Sequence, residues 1–147
     1  MEIVVNRKAR FQYEILEDFE AGIVLVGSEV KSLREKKVNL TDAYGVFRGD
    51  ELFLMNCRID PFSHASHFNH EPARSRKLLL HRRELDRLKG KLQTKGLVIV
   101  PLKLYFKKNL VKVLIGLGKG KKLHDKRASL REKDVKREMD REMKNYR

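Results

Sequence analysis

Between Leu97 and Leu117 the chain reads LVIVPLKLYFKKNLVKVLIGL, and no other stretch limits its possible folds so sharply. Two long apolar-rich runs, LVIVPLKLYFK and LVKVLIGL, meet around Lys107 to Asn109 and predict two long strands. In the first, Leu102, Leu104 and Phe106 alternate with Lys103, Tyr105 and Lys107; in the second, Val111, Val113, Ile115 and Leu117 share a face. Pro101 cannot donate to a ladder, so its strand is an edge or is bulged there.

Shorter signals surround this pair. Phe11 to Glu17 and Ala21 to Val26 are rich in Ile, Val, Phe and Tyr and predict an antiparallel pair turning at the acidic corner EDFE. After Gly27 the period changes: Val30 and Leu33 are helically spaced, Ser28 can cap, Glu29 falls in the first turn, and the helix would carry Lys31 and Arg34. AYGVFR and ELFLMN flank Gly49-Asp50, a hairpin signal. Residues 61–76 read as a long basic loop, and Leu85, Leu88 and Leu92 mark a helix between His81 and Gln93 that Gly96 ends. Short strands, hairpins and an interposed helix predict a mainly β protein: an oligonucleotide-binding-fold-like (OB-fold-like) antiparallel barrel with two to three short helices.

The barrel accounts for residues 1–122. From Lys119 onward there are 12 Lys and Arg against 6 Asp and Glu. Ser129 to Glu132 fits a capping box, but the apolar stripe of residues 123–147 is only Leu130, Val135, Met139, Met143 and Tyr146. A helix this poorly supported is marginal alone, so the tail is expected to be disordered when free and helical when docked.

Charge then narrows the function. Lys and Arg number 34 against 20 Asp and Glu, a net +14, and the isoelectric point is near 10.0, which points to a polyanionic partner. No basic helix with a broad apolar back suggests a membrane surface. The lone Cys57 excludes an internal disulfide, the start MEIVVNRKAR lacks the basic-then-apolar order of a signal peptide, and a cytoplasmic location is expected.

No catalytic constellation emerges. GLGKGKK lacks the spacing of a phosphate loop and the Ser or Thr after its lysine; Gly116, Gly118 and Gly120 are expected instead to let the chain leave the barrel and Lys119, Lys121 and Lys122 approach phosphates. His64, His67 and His70 are spaced like metal ligands, but their Ser-, Asn- and Pro-rich loop suits contact with RNA better. Cys57 reads as a small buried hydrophobe. Glu14, Glu17, Asp18 and Glu20 form a solvated corner in which Glu20 can accept from base amino groups or order a cation. Tyr13, Tyr44 and Tyr105, interleaved with Arg and Lys, match a stacking platform. An RNA-binding adaptor, a ribosomal protein binding rRNA, and a nuclease using Glu20 and a histidine stay open at this level.

NRKARFQYEILEDFEAGIVLVGSEVKSLR, PARSRKLLLHRREL, VPLKLYFKKNLVKVLIGLGKGKK and HDKR, in this order and across nearly the whole chain, resemble the small protein B (SmpB) family, the SsrA-binding proteins of bacteria. The resemblance implies an OB-like barrel that grips the tRNA-like domain of transfer-messenger RNA (tmRNA) and delivers it to stalled ribosomes in trans-translation. It implies no enzymatic activity and no cofactor or metal. Elongation factor Tu takes part indirectly, through the aminoacylated RNA. Asn6, Glu20 and Leu79 match RNA-binding positions of the family, with Lys31, Arg34, Arg74, Arg76 and Lys77 nearby and Lys119, Lys121 and Lys122 on the same basic surface. His124, Asp125, Lys126 and Arg127 match the tail motif that meets small-subunit rRNA in the decoding region. Val135 departs from relatives that carry an aromatic within the tail helix.

Overall fold

The computed structural model describes residues 1–63 and 69–121. Expectations for His64, His67, Lys122, the His124–Arg127 motif and the rest of the tail lie outside the described residues.

In chain order the elements are β1 (Glu2–Val5), α1 (Arg7–Gln12), β2 (Tyr13–Ile23), α2 (Gly27–Arg34), β3 (Val38–Asn39), β4 (Tyr44–Arg48), β5 (Glu51–Met55), β6 (Arg58–Ile59), β7 (Arg76–Leu79), α3 (Arg82–Lys91), β8 (Leu97–Lys107) and β9 (Leu110–Gly120). Hydrogen bonding runs β8-β4-β5-β7-β2-β9, and β9 returns to β8. The sheet therefore closes on itself as an antiparallel barrel, which removes its exposed edges. β1 adds to β8 beside this ring, and β3 pairs β6 apart from it. The expected mainly β barrel is thus present, with three helices among the described residues.

Strands β8 and β9 form the longest hairpin, paired from Leu97 with Lys119 to Lys107 with Leu110. Lys108 and Asn109 turn it with φ of 49° and 67°, the left-handed pair that matches strand twist. The β4–β5 hairpin likewise turns at Gly49-Asp50, beyond the pair Arg48–Glu51. Inside the barrel Phe19, Ala21, Leu52, Leu54, Leu78, Ile99, Leu104, Val113, Ile115 and Leu117 form one core, joined by Leu33 of α2 and by Leu85 and Leu88 of α3.

Several expectations change. EDFE is no corner: β2 runs unbroken through it against β9, from Tyr13 opposite Gly120 to Gly22 opposite Lys112. Phe19 and Ala21 are buried while Asp18 and Glu20 are exposed, so these two acidic residues lie along the outer side of one strand. Val26, not Ser28, is the N-cap residue of α2. Phe11 belongs to the unforeseen helix α1, and the range 61–76 ends inside β7, whose first residue is Arg76.

Two bulges explain the remaining surprise. Register shifts between Ile15 and Glu17 in β2 and between Pro101 and Lys103 in β8 reverse the side to which residues point. Leu102 is therefore buried away from Leu104, in a second cluster with Ala9 and Val100 that Tyr13, Ile15, Val98 and Leu114 flank. Gly116 and Gly118 make room for it. A Cβ at Gly116 would come within 3.0 Å of Leu102 Cδ1, and one at Gly118 within 3.0 Å of Tyr13 Cβ. These glycines lie within β9 and serve close packing, rather than letting the chain leave the barrel.

Candidate nucleic-acid interface

The outer face of β7, β2, β9 and β8 gathers the candidate residues through strand register. One row runs Leu79, Gly22, Lys112, Tyr105; the next runs Glu20, Leu114, Lys103. Gly22 leaves the strand low there, and Leu79 lies against it with its Cβ 3.4 Å from where a Gly22 Cβ would stand. Leu79 nevertheless remains 50% exposed.

Glu20 is the polar centre of this face. It accepts hydrogen bonds from the Tyr105 hydroxyl and from Lys107 Nζ at 3.1 Å. The tyrosine hydrogen bond first, and the lysine second, hold its carboxyl below the usual carboxylate range. Burial and the facing carboxylate push the Tyr105 hydroxyl upward, so it stays a donor. Lys103 lies 5.4 Å from the Tyr105 ring centroid and 3.4 Å from Glu2. An ionised acceptor, an aromatic edge, an apolar side chain and cations on one face suit the bases and phosphates of a nucleic acid.

Beneath the adjoining edge lies a second carboxylate of opposite character. Glu29, fully buried in the first turn of α2, accepts from the Val26 N–H at 2.9 Å, from Arg74 Nη2 at 2.7 Å and Nε at 3.0 Å, and from Arg76 at 2.5 Å. Burial alone would raise its pKa, but the Arg74 hydrogen bond, the Val26 amide and Arg76 outweigh it and lower the value. Arg76 is also fully enclosed. Besides Glu29 it donates to the carbonyls of Cys57 at 2.6 Å, Pro72 at 3.0 Å, Arg74 at 3.2 Å and Glu71 at 3.4 Å. Every guanidinium N–H therefore has an acceptor, as a buried charge requires. Arg74 Nη2 reaches the Val24 carbonyl at 3.2 Å as well, tying the β2–α2 connection to the segment before β7.

The structure separates the expected RNA-binding residues into two kinds. Glu20, Lys31, Arg34, Leu79 and Lys119 are exposed; Arg74, Lys77 and Lys121 are partly so. Lys31 lies over Phe62, Arg34 over Phe106 and Lys121 over Phe11, while Lys77 pairs with Glu51. Asn6 and Arg76 are different. Asn6 is 5% exposed: its Oδ1 accepts from Ala9, and its Nδ2 donates to Pro101 and Leu40 carbonyls at 2.9 and 3.2 Å. Neither side chain presents a free polar group to a partner; both fix the elements that do.

The other candidates resolve structurally. His70 is buried between Ser28 Oγ and the Ile59 carbonyl, each 2.8 Å from a ring nitrogen. Cys57 is enclosed and burial raises its thiol pKa to about 11, the behaviour of a small hydrophobe rather than a nucleophile. Glu17 is engaged by Arg87 at 2.8 Å and Lys91 at 3.0 Å of α3. Among the described residues no cluster of His, Cys, Asp and Glu could hold a metal, and no helix is long and apolar enough to cross a membrane. Lys103, Lys107 and Lys112 complete the outer face, and the alternation Lys103, Tyr105, Lys107 is the sequence signal of this polar side of β8.

Comparison with known proteins places the whole chain rather than this face. The family model described as SmpB protein matches residues 3–145. An SsrA-binding protein from Anaeromyxobacter sp. (strain Fw109-5) is 56% identical over 99% of this chain and 88% of its own length. One from Nostoc sp. (strain PCC 7120 / SAG 25.82 / UTEX 2576) is 57% identical over 98% and 94%. A solved chain described under "tmRNA-SmpB: a journey to the center of the bacterial ribosome" superposes with a TM-score of 0.71 at 50% identity, covering 90% of this chain and 93% of that one. Matched along nearly its whole length by the family model and by relatives of high identity, the chain belongs to the SmpB family.

Proposed function

We infer that this protein is an RNA-binding adaptor: it holds the tRNA-like domain of tmRNA and brings that RNA to stalled ribosomes in the cytoplasm, without catalysing a reaction itself. The observation that carries the reading is the outer barrel face of an SmpB-family chain, where Glu20, Tyr105 and Lys107 form a pre-set acceptor and donor group beside exposed Leu79. Lys31, Arg34, Arg74, Lys77, Lys119, Lys121 and Lys122 supply phosphate neutralisation, and Asn6 and Arg76 act from inside by placing α1 and β7. Residues 1–122 form the RNA-holding body. Residues 123–147 act as a separate arm, with His124, Asp125, Lys126 and Arg127 engaging small-subunit rRNA in the decoding region. Elongation factor Tu meets this complex through the aminoacylated RNA.

The test is twofold. Full-length protein should retain the isolated tRNA-like domain on a filter in the presence of excess rRNA fragments, and should restore peptide tagging to extracts depleted of their own copy. Removing residues 123–147 should leave the first property nearly intact and abolish the second. Equal retention of rRNA fragments and the tRNA-like domain would overturn the reading.

A further inference from the structure

Helix α1 presents a feature that the interface above does not use. Ala9 is its buried residue, packed with Val100 and Leu102 in the second apolar cluster. At about 100° per residue, Arg7 and Phe11 both fall on the side opposite Ala9, one helical turn apart. Phe11 is accordingly 61% exposed. Arg7 and Arg10 are exposed beside it, and Lys121 Nζ stands 6.0 Å from its ring centroid. Among the described residues no carboxylate pairs with Arg7, Arg10 or Lys121, whereas Lys8 has Asp42 at 3.9 Å and Lys119 stands opposite Glu14 in the β2–β9 register.

The platform is held firmly. Asn6 caps the helix and its backbone N–H donates to the Leu102 carbonyl at 2.8 Å, while the Lys121 N–H donates to the Gln12 carbonyl at 3.1 Å. A flat apolar ring with cations around it matches a nucleotide, which offers a π-face and phosphates in one unit. An acidic peptide would answer the cations but not the ring. The helix also rests on the strand that carries Lys103, Tyr105 and Lys107, so an RNA lying on that face continues onto α1.

We propose that Phe11, flanked by Arg7, Arg10 and Lys121, is a stacking platform for an unstacked nucleotide of the RNA held on the Glu20–Leu79 face. The inference rests on the RNA-binding function given above. Because the chain contains no tryptophan, F11W introduces a single indole at the platform, excited selectively above the absorption of the four tyrosines. Titrating full-length F11W with the transcribed tRNA-like domain should quench its indole emission at least about twofold at near wild-type affinity, and F11A should bind about tenfold more weakly. F11A should keep the wild-type slope of log K against log salt, since no phosphate contact is removed; the double variant Arg7→Gln/Arg10→Gln should flatten that slope by about two. Failure of the wild-type protein to bind this RNA would count against the function. Normal wild-type binding with an unchanged F11A affinity and an unquenched indole would remove the platform alone, as would quenching by small ribosomal subunits but not by the tRNA-like domain.

Discussion

Two carboxylates in this molecule do the same chemistry in opposite surroundings. Glu20 and Glu29 each accept hydrogen bonds from two neighbouring side chains, but Glu20 stands on the outer barrel face while Glu29 is sealed beneath α2 with Arg76. Water can replace any donor that Glu20 loses. Nothing replaces one lost by Glu29. The difference teaches that a charged residue in a basic RNA-binding protein can be structural, and that burial rather than residue type decides which.

Breaking the inner group should have the largest effect. Arg76→Ala leaves Glu29 buried without its enclosed partner and strands the carbonyls of Cys57 and Pro72, which should cost about 3–5 kcal/mol in urea unfolding. The double replacement Glu29→Leu/Arg76→Met should recover much of that loss while still weakening RNA binding, because Arg74 would lose its carboxylate anchor and keep only the Val24 carbonyl. Equal destabilisation by the single and double variants would show that the cost lies in the cavity and the stranded carbonyls rather than in the stranded charge.

Acid should distinguish the two carboxylates next. The pKa of Glu29 is lowered in the folded state, so its contribution to stability is complete above the unfolded-state value of about 4.3 and is lost as pH falls through the lower folded value. Urea midpoints measured from about pH 6 to pH 2 should therefore decline less steeply for E29Q than for wild type. Glu20 is also lowered, yet it is exposed and solvent-screened, so E20Q should follow the wild-type profile. Parallel curves for all three proteins would contradict the contrast between the sites.

The smallest stability change belongs to the outer face. Y105F and E20A should each alter unfolding free energy by less than about 1 kcal/mol. Affinity for the tRNA-like domain should nevertheless fall, by about tenfold for the loss of a charge-assisted hydrogen-bonding group. A variant of this face that loses stability but not affinity would assign it to folding instead.

Particular residues show how far the chain could be read in advance. The β8–β9 and β4–β5 hairpins were visible because alternating apolar residues and turn residues act over a few positions. Helix α2 was visible through its spacing and first-turn Glu29, and α3 through the spacing of Leu85, Leu88 and Leu92. Helix α1 was not, being six residues long with Ala9 as its one buried residue. β7 is hidden in the sequence because Arg76 reads as the end of a basic loop. Its strand form depends on partners distant in sequence, Leu52 opposite Leu78 and Gly22 opposite Leu79.

The chain's local chemistry alone determined a mainly β protein with strong positive charge, the two clearest hairpins, the two longer helices and, through its motifs, the family. Those properties come from neighbours within a few residues or from summed composition, and both can be read along a line. Only the tertiary structure decided that EDFE lies along one strand, that Leu102 and Leu104 serve different cores, and that Glu29 and Arg76 are interior while Glu20 is not. Each of those outcomes depends on which remote segment covers a residue, through two bulges and the closure of a barrel, and burial is a property of the packed whole.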